Sequence, residues 1–346
     1  MDGSSEEFVL DENGVCNFCH IAQKELAWAE SIKPNFKELF KNIKKSGKKY
    51  DCLIGLSGGA DSSTALVEIV SLGLKPLAFS VDNYWNTPES DDNIMHLVEK
   101  LKVPFFRYTI DRKKFLEIQT AFLKAGLINA EIPTDHILMA ASYEMASEYG
   151  IKYIISGGNV ATESVMPPSW SYTARDLVHI KDVYRWATGK KLDGGRGKYK
   201  VPLCGLWKYN YWKWVKGIKT VYILDYLGYH RADSIKMLED KYGWLNYGDK
   251  HEESTFTKWF QNFYLFEKFG IDKRKAHLSA MINSGQITRK EALNELLKSP
   301  EYPRLGIEAK VMSYPKRSHD EFVQDKWYNR ISKAVKFLKK ARFMYD

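Results

Sequence analysis

The sequence predicts an α/β protein with a parallel sheet covered by helices, a small module before the sheet and a mostly helical region after it. Short apolar runs alternate with stretches whose apolar residues recur at helical spacing, and small polar residues or glycines follow several of the runs. Strands that alternate with helices pair in parallel through right-handed crossovers. Such sheets bind ligands at the carboxyl ends of their strands, so we expect the functional residues there.

The first half of the chain contains these elements in order. Apolar runs predict four strands, at residues 50–56, 75–81, 104–110 and 151–155. Helical spacing predicts intervening helices at residues 62–72, 93–101 and 136–149. We therefore expect three parts, an N-terminal module (1–44), an α/β domain (45–190) and a mostly helical region that closes over a substrate (191–346).

Composition limits the classes of protein that fit. A chain of 346 residues with 44% hydrophobic content can bury a large core without disulfides. No apolar run approaches the roughly 18 to 20 residues of a membrane span, and the acidic N-terminus is unlike a signal peptide. We expect a cytoplasmic protein without a membrane span. The formal charge of +9 favours anionic partners, either nucleic acid or phosphorylated small molecules.

Residues 53–66, LIGLSGGADSSTAL, contain two overlapping catalytic patterns. Residues 55–59 satisfy the G-x-S-x-G of a hydrolase elbow, with Ser57 as the nucleophile. That elbow normally follows several strands and needs a later acid and histidine, whereas Ser57 follows the first evident strand and no downstream histidine has an evident acid partner. The loop also lacks the lysine of a Walker A motif. A pyrophosphate-binding loop is therefore favoured.

Each part of this loop suits a phosphate chain. Gly58 and Gly59 let the main chain approach closely. The helix that begins near Ser62 presents its positive end. Asp61 either caps that helix or holds Mg²⁺. The available hydroxyl donors are those of Ser57, Ser62 and Ser63.

Residues 57–63, SGGADSS, resemble the PP-loop motif of the ATP pyrophosphatases, which split ATP between the α and β phosphates. The resemblance implies that Asp82 and Asn83, after the second strand, lie near the adenosine. It also implies that Asn159 binds the nucleotide and that Glu163 joins Asp61 in binding Mg²⁺. The structural alternatives are an aspartate that caps a turn and an asparagine in a left-handed bend.

A narrower resemblance, to the N-acetyl sugar amidotransferase family, extends from about residue 15 to residue 300. Members of this family act in lipopolysaccharide O-antigen and flagellin glycan synthesis. The similar segments are residues 166–172, 176–181, 242–244, 250–254, 268–274, 277–279 and 284–289. Ala60 departs from the family, in whose loop we expect lysine, so a phosphate contact by that side chain is missing.

The resemblance implies a two-step reaction. AMP is first transferred from ATP to the acetamido oxygen of a sugar, and ammonia then displaces AMP to give an acetamidine. Asp61, Lys273 and Arg274 are the implied catalytic residues. Lys273 and Arg274 are implied to offset the phosphate charge, although two adjacent cations also suit a solvated helix start, and Asp61 is implied to hold Mg²⁺. The residues expected to line the sugar pocket are Trp170, Tyr172, Lys250, His251 and Glu253.

The sequence shows no glutaminase site. Residue 2 is Asp2, so an N-terminal cysteine nucleophile is missing, and no other cysteine lies in a convincing nucleophile context. The resemblance implies a separate glutaminase with a cyclase-like subunit as the source of ammonia, and a nucleotide-linked sugar as the substrate. Nucleic acid is not expected as a partner.

Two N-terminal cysteines raise a separate question. Cys16 and Cys19 form a C-x-x-C pair, which is a common half of a zinc site, with His20 or Cys204 as further ligands. The same residues match the haem attachment pattern, but that would require export. Unpaired thiols are the other alternative. Two rival functions also remain, a PP-loop enzyme that modifies tRNA and a zinc-containing nucleic-acid-binding protein with a degenerate loop.

Overall fold

The structure, a computed structural model, describes residues 1–46, 49–195, 199–248 and 250–327. Five parallel strands form one sheet in the order β3-β2-β1-β4-β5. The strands are β1 (Cys52–Gly55), β2 (Pro76–Asp82), β3 (Phe105–Thr109), β4 (Tyr153–Ser156) and β5 (Lys219–Tyr222). The predicted fold class, an α/β protein with a parallel sheet covered by helices, is confirmed.

Fifteen α-helices surround this sheet within the described residues. Those before β5 are α1 (Asn17–Ile32), α2 (Phe36–Ser46), α3 (Ala60–Ser71), α4 (Pro88–Lys100), α5 (Arg112–Ala125), α6 (Ile132–Glu148), α7 (Val160–Glu163), α8 (Leu177–Thr188) and α9 (Leu206–Asn210). Those after β5 are α10 (Ile223–Leu227), α11 (Arg231–Tyr242), α12 (Thr255–Trp259), α13 (Arg274–Asn283), α14 (Arg289–Leu296) and α15 (Glu308–Ser313). Helical turns of the wider π type continue α9 over Tyr211–Val215 and α12 over Phe260–Lys268.

Alternating strand residues build two cores on opposite faces of the sheet. Leu53 and Phe79 belong to the core that contains α5, α6 and α8. Ile54 and Ala78 belong to the core that contains α3, α4 and α11. Since successive side chains of a strand point to opposite faces, one apolar run supplies both cores. The sheet is therefore the middle layer of three.

The sequence did not predict β5 or α5. β5 has the sequence KTVY, and only Val221 of its four residues is buried. It lies at the edge of the sheet, where a single buried side chain is enough and no apolar run develops. Because β5 comes from beyond residue 190, the C-terminal part of the chain completes the sheet.

The N-terminal helix α1 packs against α7, α10 and α13. Its buried side chains are Phe18, Ala22 and Ala29. The N-terminal module therefore joins the region after β4 to the C-terminal helices. No helix in the described part of the chain combines the length and the apolar character that a membrane crossing requires.

Gly58 is the position where the backbone after β1 most clearly excludes a side chain. Its φ is +79°, and an added Cβ would lie 2.2 Å from the carbonyl oxygen of Ser90. Gly73 has a similar φ of +82° with no atom within 4 Å of its added Cβ, so it is a matched control.

We expect Gly73→Ala to lower the free energy of unfolding by about 1 kcal/mol, the backbone cost of a left-handed alanine. Gly58→Ala should cost about 1 to 3 kcal/mol more, because overpacking is added to it. Urea unfolding of both variants measures the difference. Equal losses would show that Gly58 does not contact α4 as described.

Candidate active site

The site lies where the chain changes direction across the sheet. From β1 the chain runs to β2 and β3 on one side, and it then returns to β4 and β5 on the other side of β1. The gap between β1 and β4 is therefore a topological switch point, the usual ligand position in α/β sheets. The loops after these strands touch, since an added Cβ on Gly157 would lie 2.7 Å from the backbone nitrogen of Ser62.

The loop after β1 is held by its own serines. The Oγ atoms of Ser57 and Ser62 lie 3.2 Å apart, and the Gly59 N–H donates to Ser57 Oγ at 3.2 Å. Gly59 is the N-cap of α3 and has no side chain to cover the end of that helix. The first N–H groups of α3 therefore remain available to an anion, as the sequence predicted for a phosphate-binding loop.

A lysine from a distant part of the chain completes the loop. Lys250 Nζ lies 2.8 Å from Asp61 Oδ2 and 2.8 Å from Glu163 Oε1. It also donates to Thr162 Oγ1 at 2.5 Å. Arg231 lies 3.5 Å from Asp61 Oδ1, and the Tyr229 hydroxyl donates to the same oxygen. Two cations thus face two carboxylates at the N-terminal end of α3.

Charge pairing sets the protonation of this group. Burial raises the pKa of Asp61, but the positive charges of Lys250 and Arg231 outweigh it, and the net pKa lies below the ordinary value. Burial likewise lowers the pKa of Lys250, and the charges of Asp61 and Glu163 raise it above the usual range. Asp61 and Lys250 therefore keep their charges at neutral pH.

The carboxylates of Asp61 and Glu163 also suit a divalent cation. Both approach one point, which Lys250 Nζ occupies as a positive charge. Carboxylate oxygens are the ligands that Mg²⁺ prefers. The residues therefore fit the predicted magnesium site, provided that Lys250 moves to a phosphate when the ion binds.

Two connected cavities adjoin the loop. The smaller one, the phosphate cleft, has a volume of about 160 Å³ and lies between the loop, Glu163, Arg231 and Lys250. The larger one, the substrate cavity, has a volume of about 1240 Å³ and extends over the carboxyl ends of β1, β2, β4 and β5. The residues common to both are Ser57, Ser62, Gly157, His251 and Glu253. A molecule in the substrate cavity can therefore reach phosphate bound at the loop.

Two carboxyl groups one helical turn apart line the substrate cavity. Burial and the charge of Asp135 raise the pKa of Glu131 to about 7. The cavity walls raise the pKa of Asp135 above its ordinary value, although its side chain is exposed and Lys273 nearby favours its charged form. Glu131 accepts a hydrogen bond from the Thr257 hydroxyl at 2.5 Å. Near neutral pH Glu131 can therefore either donate or accept a proton.

The amino acids predicted to bind the nucleotide do not all lie in the cavity walls. Asn83 lines the substrate cavity, and Asp82 Oδ1 accepts a hydrogen bond from Tyr84 N at 3.2 Å. Asn159 caps α7, because its Oδ1 accepts from Thr162 N at 3.0 Å. Ser63 is buried beneath the loop. The roles of Asp82, Asn159 and Ser63 in nucleotide binding stay predictions.

The amino acids predicted to line the sugar pocket lie in two different parts of the structure. Lys250, His251 and Glu253 line the phosphate cleft. Trp170 is buried in the core, and the Tyr172 ring stacks on His319 at 4.6 Å between the ring centroids. Neither aromatic ring is among the residues that line the two cavities.

The two predicted catalytic cations, Lys273 and Arg274, also have different surroundings. Lys273 lines the substrate cavity. The Arg274 guanidinium instead holds the carboxylate of Asp272 at 2.7 Å and donates to the carbonyl oxygen of Lys298 at 2.9 Å. The structure therefore places Lys273 in the wall of the large cavity, whereas the Arg274 guanidinium is held by Asp272 and by the carbonyl oxygen of Lys298.

The N-terminal cysteines lie together, with Sγ atoms of Cys16 and Cys19 3.2 Å apart. His20 Nε2 is 2.7 Å from Asp11 Oδ2, and Cys204 is buried beside His136, whose Nε2 accepts from Cys204 N at 3.1 Å. Among the described residues, no group of three or more metal-ligating side chains is assembled. Zinc at this pair stays a prediction.

Several site residues could not be identified from the sequence. Arg231 and Tyr229 follow β5, itself not predicted, and the Trp244 indole donates to the carbonyl of Gly58 at 3.0 Å. Glu131 and Asp135 are four residues apart at the start of α6, a spacing that puts them on one helical face. This four-residue spacing is the sequence feature from which the pair could have been identified.

A comparison with known families finds a match in the C-terminal part of the chain. Residues 253–340 match the family model for the C-terminal domain of WbpG-like lipopolysaccharide biosynthesis proteins. The matched segment begins at Glu253 and includes Thr257, Lys273 and His277. The predicted similarity to proteins of lipopolysaccharide synthesis is thereby confirmed.

Among curated proteins, the chain is 26% identical over 147 residues to the uncharacterized protein MJ1599 of Methanocaldococcus jannaschii. The match covers 41% of this chain and 50% of the relative. The chain thus spans half the length of that relative, whose own function is not given by its name.

Three solved structures show distant similarity to the chain. NMN synthetase from Francisella tularensis has a TM-score of 0.30 at 16% identity, over 58% of this chain and 96% of that one. NH3-dependent NAD synthetase from Campylobacter jejuni has a TM-score of 0.32 at 15% identity, over 83% and 100%. The U34-tRNA thiolase NcsA from Methanococcus maripaludis, with its [4Fe-4S] cluster, has a TM-score of 0.34 at 14% identity, over 82% and 88%.

The raised pKa of Glu131 predicts a pH dependence of stability. The folded state keeps the proton up to about pH 7, whereas the unfolded state loses it near pH 4. The folded state therefore binds more protons in this window, and stability falls as pH rises through it. Glu131→Gln should remove this loss, so the variant gains stability relative to the wild type between about pH 4 and about pH 8.

Thermal unfolding across that pH range measures the effect. Glu6→Gln, at an exposed position, is the control and should follow the wild type at every pH. A difference in stability between Glu131→Gln and the wild type that does not change with pH would contradict the raised pKa of Glu131.

Proposed function

We propose that the protein is an ATP-dependent, AMP-forming amidotransferase, which converts the acetamido group of a nucleotide-linked N-acetyl sugar into an acetamidino group. One observation carries the proposal: the PP-loop, Lys250 and Arg231 enclose a phosphate cleft that opens into a cavity of about 1240 Å³. The similarity of residues 253–340 to a lipopolysaccharide biosynthesis domain supports a sugar substrate. The product would serve O-antigen or flagellin glycan synthesis.

In the first step the acetamido oxygen attacks the α phosphorus of ATP. A bond forms between that oxygen and phosphorus, the bond to the bridging oxygen breaks, and pyrophosphate leaves. Lys250 and Arg231 face the position where negative charge accumulates, and the N-terminus of α3 adds its N–H groups. Mg²⁺ held by Asp61 and Glu163 would neutralise phosphate charge. The main task of these residues is thus to hold and neutralise the triphosphate.

In the second step ammonia attacks the activated carbon. A carbon–nitrogen bond forms, the carbon–oxygen bond breaks, and AMP leaves with the former acetamido oxygen. The attacking nitrogen must release a proton to a base. Glu131 and Asp135 line the same cavity, and burial raises the pKa of Glu131 to about 7, close to the value of an efficient general base.

The remaining walls of the substrate cavity suit a nucleotide sugar. Its polar lining includes Arg175, Lys213 and Lys219, which can pair with a diphosphate. Tyr209 and Tyr222 line the same cavity and offer aromatic faces. The cavity therefore offers positive charge for the diphosphate of a nucleotide sugar and aromatic surface for its rings.

The cysteines support a separate source of ammonia. Burial raises the pKa of the Cys204 thiol to about 12, and the pKa values of Cys19 and Cys52 are also raised by burial. The thiolate is the nucleophilic form, so these groups are poorly suited to attack glutamine. We propose that a glutaminase with a cyclase-like subunit delivers the ammonia.

The alternative is a PP-loop enzyme that modifies tRNA. The net charge of +9 suits such a substrate. Binding of tRNA that weakens steeply with salt would favour it, because phosphate contacts release counterions. The amidotransferase is favoured because the matched domain belongs to lipopolysaccharide biosynthesis.

The deciding experiment incubates the protein with ATP, Mg²⁺ and ammonium and a panel of nucleotide N-acetyl sugars, with tRNA in parallel. Formation of AMP and pyrophosphate together with a sugar in which one oxygen is replaced by an NH group, and which gains one positive charge because an amidine is protonated at neutral pH, would support the proposal. Turnover with tRNA alone would favour the alternative.

Asp61 provides a direct test of the phosphate cleft. Asp61→Asn keeps the shape of the side chain but removes the charge that holds Lys250 and Arg231. We expect AMP formation to fall by about 100-fold or more, as after loss of other groups that position transition-state charge. Thermal unfolding checks that the variant is folded.

Asp233→Asn is the matched control, because Asp233 lies on α11 with its side chain 83% exposed. It should turn over like the wild type. Near-normal turnover by Asp61→Asn would remove the PP-loop residues from the mechanism.

The ammonia source gives a second test. The isolated protein should use ammonium salts and not glutamine, and addition of a glutaminase partner should restore the use of glutamine. Activity with ammonium should rise with pH, because the neutral ammonia that attacks carbon becomes a larger fraction. AMP formation across pH with each nitrogen donor measures this. Robust turnover with glutamine alone would require a glutaminase site in this chain.

A further inference from the structure

A third cavity lies directly behind the phosphate cleft. Its volume is about 280 Å³, and it shares Arg231, Lys250 and His251 with the cleft. Its other walls include Met281 of α13 and Glu291 of α14. Glu291 is exposed, whereas Lys250 has little exposed side chain. The cavity therefore leads from the protein surface to the back of the reacting site, and the shared side chains are all that separates the two.

One side chain in this cavity has an unused hydrogen-bonding atom. His277 Nδ1 lies 3.3 Å from the carbonyl oxygen of Thr162, so Nδ1 carries the hydrogen and Nε2 is left as an acceptor. Within the described part of the chain nothing bonds to this buried Nε2. Burial lowers the pKa of His277 to about 3, which keeps the ring neutral. A small ligand with an N–H group would satisfy the acceptor.

A second imidazole continues the path toward the cleft. The rings of His251 and His277 lie 5.1 Å apart between centroids. His251 has a backbone φ of +70°, which is uncommon for a residue with a side chain, and this conformation holds it in the shared wall. Two neutral rings thus lie between the surface and the phosphate cleft.

The charges at the inner end select what can pass. Arg231 and Lys250 are positive and line both cavities. The third cavity is also lined by the carboxylates of Glu252, Glu291 and Glu295, so ammonium can enter it, and the two inner cations then disfavour the charged form relative to neutral ammonia. Ammonium therefore releases its proton to solvent before ammonia passes the two cations. No covalent step takes place inside the cavity.

We propose that this cavity is the port through which ammonia reaches the activated sugar, with His277 Nε2 accepting an N–H on the way. The inference rests on the proposed function, since it assigns a path to the nitrogen of the second step. It also places the ammonia-supplying partner on the face formed by α13 and α14.

The test is Met281→Trp, which fills the port with a side chain outside the phosphate cleft. We expect the KM for ammonium to rise at least tenfold, while the KM values for ATP and for the sugar change less than twofold. Met281→Ala widens the cavity and should leave the KM for ammonium within twofold of the wild type. Leu297→Trp, at an exposed position on α14's C-terminal side, controls for an added tryptophan.

His277→Leu gives a second measurement if the tryptophan variant does not fold. It removes the acceptor and should raise the KM for ammonium without changing the KM for ATP. An unchanged KM for ammonium in folded, active Met281→Trp or His277→Leu would overturn the port alone. A wild-type protein that forms no AMP with any of the sugars would overturn the proposed function, and the port with it.

Discussion

The position of Lys250 between Asp61 and Glu163 connects the three parts of the site. Asp61 belongs to the first turn of α3, Glu163 to α7 after β4, and Lys250 to a segment almost two hundred residues from the loop. Its two contacts of 2.8 Å fix the back of the phosphate cleft, and its side chain also forms part of the wall of the third cavity. Loss of this charge would leave two partly buried carboxylates facing each other, which is unfavourable.

The sequence predicted the parts of the site that are local. Strand, loop and helix at residues 50–72 were identified because apolar residues, glycines and helical spacing lie next to each other in the chain. The sheet follows from four such units, and the phosphate-binding loop follows from its position after β1. These features depend on neighbours within about one turn or one strand, which is the range over which sequence patterns carry information.

The other half of the site depends on contacts over long sequence separations. Arg231 reaches Asp61 only because β5 joins the edge of the sheet and α11 then returns over α3. β5 has a single buried residue, so no pattern marks it. Similarly, Glu131 and Asp135 look like ordinary residues at a helix start until the fold places both in the wall of the large cavity. The raised pKa of Glu131 arises from burial, which the sequence alone does not contain.

The division of the chain matches the division of the chemistry. The region before Lys250 supplies the loop, Asp61, Glu163 and Arg231, all of which line the phosphate cleft. The segment similar to WbpG-like proteins begins at Glu253 and supplies residues on the far walls, among them Lys273 of the substrate cavity and His277 of the third cavity. Lys250 and His251 line both the phosphate cleft and the third cavity, and His251 and Glu253 line both the cleft and the substrate cavity. One short segment of the chain therefore forms the boundary shared by the three cavities.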